Sequence, residues 1–285
     1  MRRNVKFATA CRVLFVWALL SQIAVAQDNP PATYQPPLFR SVEEQGRPKL
    51  PDNLSVKLIA DADFAPYSFL SRTGTPAGIS VEIAVAACEQ ARLACTVEVR
   101  PYAEILPALQ HGDADVAVTG PRLDAATLAV ARMTRPYFRI MGRFAVANAS
   151  TLNAASAGDL AGRRIGVVKD TVHARWLAAY YGAARITPFD DLAAAGNALK
   201  AGAVDAIFGD NLQVIYWVAG EPAASCCRLL GGAYSDFDYF SRNLAFLVRS
   251  DRPELAQALD FGLDKAQTVG ATAKILRTYV PLDPW

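Results

Sequence analysis

Two aspartates that could bind a charged ligand follow the ends of predicted strands. Asp61 comes directly after a strand at Ser55–Ala60, and Asp210 closely follows a strand at Val204–Phe208. Phe64 and Tyr102 also sit just past predicted strand ends, where clefts in open α/β sheets lie. Asp210 also precedes a predicted helix at Asn211–Val218, which it could cap by accepting free N–H groups. The capping role and a ligand contact are compatible.

A second group of candidates surrounds the start of a predicted helix at Thr171–Tyr181. Free N–H groups at a helix start bind anions, and the hydroxyl of Thr171 could add a further contact. His173 lies within the first turn, where it could touch a ligand or serve only as a surface or capping residue. Asp170 places a carboxylate at the same point, where it could cap the helix or repel an anionic group.

Residues suited to catalysis are sparse. The chain has two histidines, His111 in a predicted turn and His173. An enzyme needs a positioned acid or base, and neither a Ser–His–Asp order nor a metal-ligand spacing is present. The sequence therefore favours binding over catalysis and predicts neither a metal nor a cofactor.

Residues 1–26 have the three parts of a secretory signal peptide. Basic residues precede an apolar core from Val13 to Val25, and small residues end at Ala26. The core is shorter than the roughly 20 apolar residues that span a membrane. We therefore predict export to the periplasm with cleavage after Ala26, rather than a membrane anchor.

The charge of the exported chain differs from that of the full sequence. Cleavage removes four basic residues and no acidic one, so the formal net charge of +2 falls to about −2. The remaining charges of both signs are interspersed along the chain, which is typical of a solvated surface and does not favour nucleic acid. Residues 27–52 are rich in proline and have no apolar period, which predicts a disordered leader.

Strand and helix signals alternate from Leu54 to the C-terminus. Alternation of this kind predicts an α/β protein with parallel sheets covered by helices. A final strand at Leu244–Val248 and two helices at Pro253–Ala266 and Ala271–Val280 are long enough to return to the first unit. We therefore expect two lobes with two crossings between them.

Five cysteines are present, and Cys11 lies in the signal peptide. Cys88 is near the end of a predicted helix and Cys95 opens a strand, so in an oxidising compartment they could form a disulfide. Cys226 and Cys227 are adjacent. A bond between neighbours is uncommon, so we expect buried free thiols there.

An ordered series of segments resembles the family 3 periplasmic solute-binding proteins of ABC transporters, the polar amino-acid-binding type. The segments are Asp61–Tyr67, Tyr102–Leu109 with Gly112, Asp113 and Asp115, Thr134–Tyr137, Asp159–Val167, and Ala198–Leu199 with Gly202, Asp205, Ala206 and Asp210. Cys88 and Cys95 also have the spacing of a disulfide found in some members. The resemblance covers about Leu54 to Trp285.

The resemblance implies a type II periplasmic binding protein fold, in which two α/β lobes are joined by two crossover strands. The ligand lies in the cleft, and a hinge motion of the lobes buries it. Mapped onto this chain, residues 53–145 plus 246–285 form lobe 1, and residues 150–242 form lobe 2.

The same resemblance assigns ligand-binding roles. Phe64 and Tyr102 match the aromatic walls of the cleft, Asp210 resembles the acid that receives a ligand ammonium, and Asp61 resembles another cleft acid. Thr119, Thr171 and His173 complete the predicted ligand contacts.

One loop departs from the family pattern. The arginine that clamps an amino-acid carboxylate falls at Thr127, and threonine cannot form a bidentate ion pair. Arg122 lies five residues earlier and could take over this role, or it could be a surface residue. The resemblance therefore supports a binding protein and leaves the ligand open.

We expect a monomeric periplasmic solute-binding protein that captures a small amino-acid-like, amine or organic-acid ligand. Its partner would be an ABC permease in the inner membrane. An accessory or sensor protein that docks a periplasmic partner, and a dehydratase-like enzyme on the same fold, are the alternatives.

Overall fold

The computed structural model describes residues 46–119, 124–240, 243–280 and 282. The predicted signal peptide, the greater part of the predicted leader and Arg122 lie outside these ranges.

The last residues of the predicted leader contact the folded part. The Nε atom of Arg47 donates a hydrogen bond to the carbonyl of Ala91 at 2.9 Å. The guanidinium of Arg47 also pairs with the carboxylate of Asp52 at 2.7 Å, and Leu50 packs against the first core. The ordered chain therefore begins before Leu54, because residues 47–52 are held by the surface they cross.

Strands and helices alternate through the described chain. The strands are β1 (Leu54–Asp61), β2 (Asp63–Phe64), β3 (Ser68–Leu70), β4 (Pro76–Ala77), β5 (Leu93–Arg100), β6 (Val116–Ala117), β7 (Ala131–Met133), β8 (Gly142–Ala147), β9 (Arg164–Val168), β10 (Arg185–Phe189), β11 (Ala206–Asp210), β12 (Cys227–Tyr234) and β13 (Leu247–Arg249). The helices are α1 (Ile79–Gln90), α2 (Tyr102–His111), α3 (Ala125–Val130), α4 (Val172–Tyr180), α5 (Leu192–Lys200), α6 (Asn211–Ala219), α7 (Phe237–Phe240), α8 (Pro253–Thr268) and α9 (Ala271–Tyr279).

The first sheet has the strand order β5–β1–β6–β13–β7. β1 runs parallel to β5 and β6, whereas β13 runs antiparallel to β6 and β7. Val56, Leu58 and Ala60 of β1 are buried in a core shared with α1 and α8. Ile59 is buried on the opposite face, beside Ile105 of α2. Helices cover both faces, which explains the uninterrupted apolar run Leu58–Ala60 in the second half of β1.

The second sheet has the order β10–β9–β11–β8–β12. β9 is parallel to β10 and β11, and β8 lies antiparallel between β11 and β12. Phe144 of β8 and Phe208 of β11 pack together with ring centroids 4.4 Å apart on the face covered by α4. Ala145 and Ile207 face α5 and α6 on the other side.

Both sheets are mixed, whereas the sequence predicted parallel sheets. The antiparallel strands β7, β8, β12 and β13 adjoin the segments that pass between the sheets. Parallel pairing of successive strands requires a crossover connection, usually a helix, and no such unit directly joins these strands to the strands they pair with. β12 was not predicted, since Gly231 and Gly232 indicated a turn. Its pairing with β8 shifts register between Leu230 and Tyr234, which accommodates the glycines within a strand.

Two extended segments connect the sheets and pair with each other. The N–H of Leu244 donates to the carbonyl of Phe138 at 2.8 Å, and the N–H of Tyr137 donates to the carbonyl of Leu244 at 2.8 Å. The expected two-lobed architecture with two crossover strands is therefore confirmed. The predicted boundary at residue 145 falls inside β8, which belongs to the second sheet. We therefore propose that the first lobe ends within residues 134–141.

The four cysteines within the described ranges form two disulfides. Cys88 of α1 and Cys95 of β5 are joined as expected, with Cα atoms 6.2 Å apart. Cys226 and Cys227 are joined to each other, so the prediction of free thiols was wrong. Ala224 and Ser225 both have left-handed φ angles, and no local pattern indicates this tight turn before the pair. No helix within the described ranges is long and apolar enough to cross a membrane.

Helices α1 and α8 touch at Gly262. A Cβ atom placed there would lie 2.0 Å from the carbonyl oxygen of Ala87, so any side chain must displace a backbone. We expect Gly262→Ala to destabilise the protein by about 1–3 kcal/mol, despite the better helix propensity of alanine. Gly232→Ala, where nothing lies within 4 Å, is the control. Chemical denaturation measures the free energy of unfolding of both variants. Equal values for Gly262→Ala and Gly232→Ala would contradict the close contact at Gly262.

Candidate functional site

A cavity of about 380 Å³ lies where the two lobes meet. The first lobe contributes residues that follow β2 and β6, and the second contributes the start of α4 and the start of α6. The second connecting segment contributes Asn243, Leu244 and Ala245. The loops after several strands therefore enclose the cavity, as expected of an α/β protein that holds a ligand beyond its strand ends.

Asp210 lies in this cavity at the end of β11 and caps α6. The Gln213 N–H donates to its Oδ1 atom at 3.0 Å, and the Tyr67 hydroxyl donates to the same oxygen at 2.6 Å. Tyr67 belongs to the first lobe, so this carboxylate joins the two lobes. The capping role that the sequence left open is therefore present.

The surroundings of Asp210 are nearly closed to solvent. Its side chain is 9% exposed, and burial raises the pKa of its carboxyl above the usual value. His173, Tyr67 and the first N–H groups of α6 oppose this effect and favour the charged form. Burial therefore makes a negative charge at this position costly, and a bound cation would offset part of that cost.

His173 lies on the buried face of α4. Its Nε2 atom donates to the carbonyl of Met141 at 3.2 Å, and its ring packs 5.1 Å from that of Phe240. Burial lowers the pKa of His173, and the nearby Asp210 and the Met141 hydrogen bond act in the opposite direction. The side chain lines the cavity while remaining part of the second-lobe core.

The first lobe supplies an aromatic wall and a hydroxyl pair. Phe64 lines the cavity and stacks on Tyr67 with centroids 5.0 Å apart. Thr119 is 6% exposed; its Oγ1 atom accepts from the Asp61 N–H at 3.0 Å and shares a hydrogen bond with Ser68 at 2.7 Å. Phe64 and Thr119 therefore lie together at the cavity, and their ligand contacts stay predictions.

Thr171, rather than Asp170, caps α4. The Thr171 Oγ1 accepts from the Ala174 N–H at 3.1 Å and donates to the Val168 carbonyl at 2.7 Å. Asp170 has a φ of +58°, a left-handed conformation that glycine adopts readily and that aspartate tolerates better than most residues. Both residues line the cavity.

Other predicted site residues lie elsewhere. Tyr102 is the first residue of α2 and is 48% exposed, so it does not enclose the cavity. Asp61 ends β1, and its Oδ1 accepts from the Asp63 N–H at 3.1 Å, which fixes a local turn away from the lining. Ligand contacts by these two residues remain predictions. Thr127, at the position of the family arginine, is buried in α3.

Several cavity residues were not predicted as contacts. Gln213 and Tyr67 belong to segments that the sequence singled out, whereas Arg175 and Asn243 carried no local signal. The Oδ1 atom of Asn243 is buried without a hydrogen-bond partner. An unpaired buried acceptor is costly, so a ligand donor at this point would stabilise it.

Helix α6 contacts both lobes. Leu212 and Ile215 pack in the first-lobe core, while Val214 packs in the second. The Gln213 side-chain amide also donates to the Ala65 carbonyl of the first lobe at 3.1 Å. The described residues contain no group of three His, Cys, Asp or Glu side chains that could hold a metal ion.

The buried His173 should make stability depend on pH. Since its pKa is lowered on folding, the unfolded chain binds a proton first. The contribution of uncharged His173 to the free energy of unfolding is therefore fully present above about pH 6.5. It is lost as the pH falls toward the folded-state pKa. We expect His173→Gln to reduce the loss of unfolding free energy between pH 7.5 and 5.5. His111→Gln, at the exposed end of α2, should keep the wild-type loss. An unchanged slope in His173→Gln, measured by urea denaturation, would contradict this assignment.

Comparison with known proteins identifies relatives of similar length. The ABC transporter arginine-binding protein 1 of Escherichia coli K12 is 25% identical over 220 residues, covering 77% of this chain and 88% of that protein. The histidine-binding periplasmic protein of Salmonella typhimurium LT2 is 20% identical over 230 residues, covering 80% of this chain and 88% of that protein.

The fold is also found among solved structures. Substrate-binding domain 2 of Lactococcus lactis GlnP, in its open conformation, has a TM-score of 0.70 at 20% identity, covering 83% of this chain and 99% of that chain. Residues 56–281 match the profile of the bacterial extracellular solute-binding proteins, family 3. This match covers most of the chain and agrees with the two lobes and their shared cavity. The chain therefore belongs to that family.

Proposed function

We propose that the exported chain is the periplasmic solute-binding protein of an ABC importer and that it captures a small polar ligand bearing an amine. The observation that carries this proposal is the buried carboxylate of Asp210 in a cavity walled by both lobes. The relatives named for arginine and histidine binding support a nitrogen-rich, amino-acid-like ligand.

The dimensions and lining of the cavity suit such a ligand. A volume of about 380 Å³ falls in the range of small-molecule sites, which combine apolar walls with a few placed polar groups. Phe64 provides an aromatic face, which also attracts a cationic head group. The Tyr67 hydroxyl and the Gln213 N–H both donate to Oδ1 of Asp210, and we propose that Oδ2 accepts from the ligand amine.

Capture would follow hinge closure. The two connecting segments pair through Phe138 and Leu244, so they can bend together while each sheet keeps its own strands. Tyr67–Asp210 and Gln213–Ala65 hydrogen bonds join the lobes next to the cavity. A ligand bound at Asp210 therefore lies where the lobes come together.

We propose capture without chemical conversion. The only histidine of the cavity's described walls is His173, whose Nε2 donates to a carbonyl and whose ring is packed against Phe240. Burial lowers the pKa of His173, so its imidazole is a weaker base than an exposed one.

Asp210→Asn separates the ligand contact from the helix cap. Asparagine caps a helix as well as aspartate does and can still accept from Tyr67. Burial raises the pKa of Asp210, so the ionised form costs folding free energy above the unfolded-state pKa. We therefore expect the ligand-free variant to unfold at the same or a higher temperature at pH 7, whereas affinity for an amine-bearing ligand falls at least about tenfold.

Asp191→Asn is the matched control. Asp191 caps α5 by accepting from the Ala194 N–H at 2.7 Å, outside the cavity, and its substitution should leave affinity unchanged. Thermal shift first screens amino acids, amines and organic acids, since a ligand at 100 times its Kd adds about 2.7 kcal/mol of stability. Calorimetry then measures affinity. Failure of every ligand to bind would overturn the function, and equal losses in both variants would overturn the role of Asp210.

A further inference from the structure

Arg175 is the one Lys or Arg side chain among the described residues that line the cavity. It lies on the second turn of α4, four residues after Thr171, so both side chains occupy the same face of the helix. The opposite face of α4 carries His173, Trp176 and Leu177 into the core. The backbone of Arg175 is thus held beside the cavity by a helix whose other side is fixed.

Within the described chain, the side chain of Arg175 has no recorded ion pair or hydrogen bond. Other arginines at strand and loop positions are engaged: Arg164 pairs with Asp205 at 2.7 Å and Arg135 with Asp264 at 2.9 Å. Arg175 is exposed and is therefore available to an incoming anion.

The charges of the described lining give Arg175 a specific consequence. Asp170 and Asp210 contribute −2 and Arg175 contributes +1, so the lining carries a formal charge of −1, leaving His173 uncharged. Without Arg175 the charge would be −2, which favours a cation without a carboxylate. With Arg175, a zwitterion finds an acceptor on β11 and a donor on α4.

We propose that Arg175 binds the carboxylate of a ligand whose amine is held at Asp210. This rests on the proposed function and adds the residue that selects for an acidic group. The clamp has then moved from the first lobe, where Thr127 stands at the expected position, to the second. A guanidinium can bind a carboxylate through two parallel hydrogen bonds, which a lysine cannot reproduce.

The test compares each amino acid with its decarboxylated amine. L-Arginine with agmatine and L-histidine with histamine are titrated by calorimetry into wild type, Arg175→Ala, Arg175→Lys and Arg122→Ala. Arg185→Ala is the matched control, since Arg185 is exposed on β10 and does not line the cavity. We expect Arg175→Ala to lower the affinity for the amino acid at least about tenfold. Its affinity for the corresponding amine should equal or exceed that of wild type. Arg175→Lys should bind the amino acid with an affinity between those of wild type and Arg175→Ala.

Each other outcome counts against the proposal in a distinct way. If wild type and Arg175→Ala bind amino acids with equal affinity, Arg175 is not the carboxylate-binding residue. The same conclusion follows if only Arg122→Ala binds amino acids more weakly than wild type. If only the amines bind wild type, the ligand carboxylate has no site, and the proposed function stands without this inference. If nothing in the screen binds, the proposed function fails and this inference with it.

Discussion

The carboxylate of Asp210 is the interaction on which the arrangement of the two lobes depends. It ends β11, caps α6 and accepts the hydroxyl of Tyr67 from the other lobe. A buried charge is tolerated only when donors surround it, so these contacts require β11, α6 and the turn after β2 to meet at one point. The cavity forms around that point because the strand ends that carry the donors leave space between them.

The same requirement explains why α6 belongs to neither lobe alone. Its apolar residues are shared between the two cores: Leu212 and Ile215 pack in one and Val214 packs in the other. Its polar first turn faces the cavity through Gln213. A helix with this division transmits the position of one lobe to the other, since moving it requires both cores to give up contacts.

Much of the fold could be predicted from local pattern, whereas the site could be predicted only in part. The last helix was predicted at Ala271–Val280 and is observed at Ala271–Tyr279, whereas β12 was not predicted because its glycines resemble a turn. Phe64, Thr119 and Asp210 line the cavity, and they could be predicted as contacts because they follow strands or match known segments. Arg175 and Asn243 meet at the cavity only through tertiary packing, so no local property of the sequence marks them. The bond between Cys226 and Cys227 depends on a local turn that was equally hidden.

The strand order has a consequence for how the chain assembles. The second sheet uses only residues between Gly142 and Tyr234, so it can form as a unit from one continuous stretch. The first sheet begins at Leu54, yet its β13 comes from residues 247–249 and lies between β6 and β7. A chain that emerges from its N-terminus must therefore leave its first sheet incomplete until nearly all of its length is available. Such non-local pairing is slow to form, and the middle of the sequence can fold before either end.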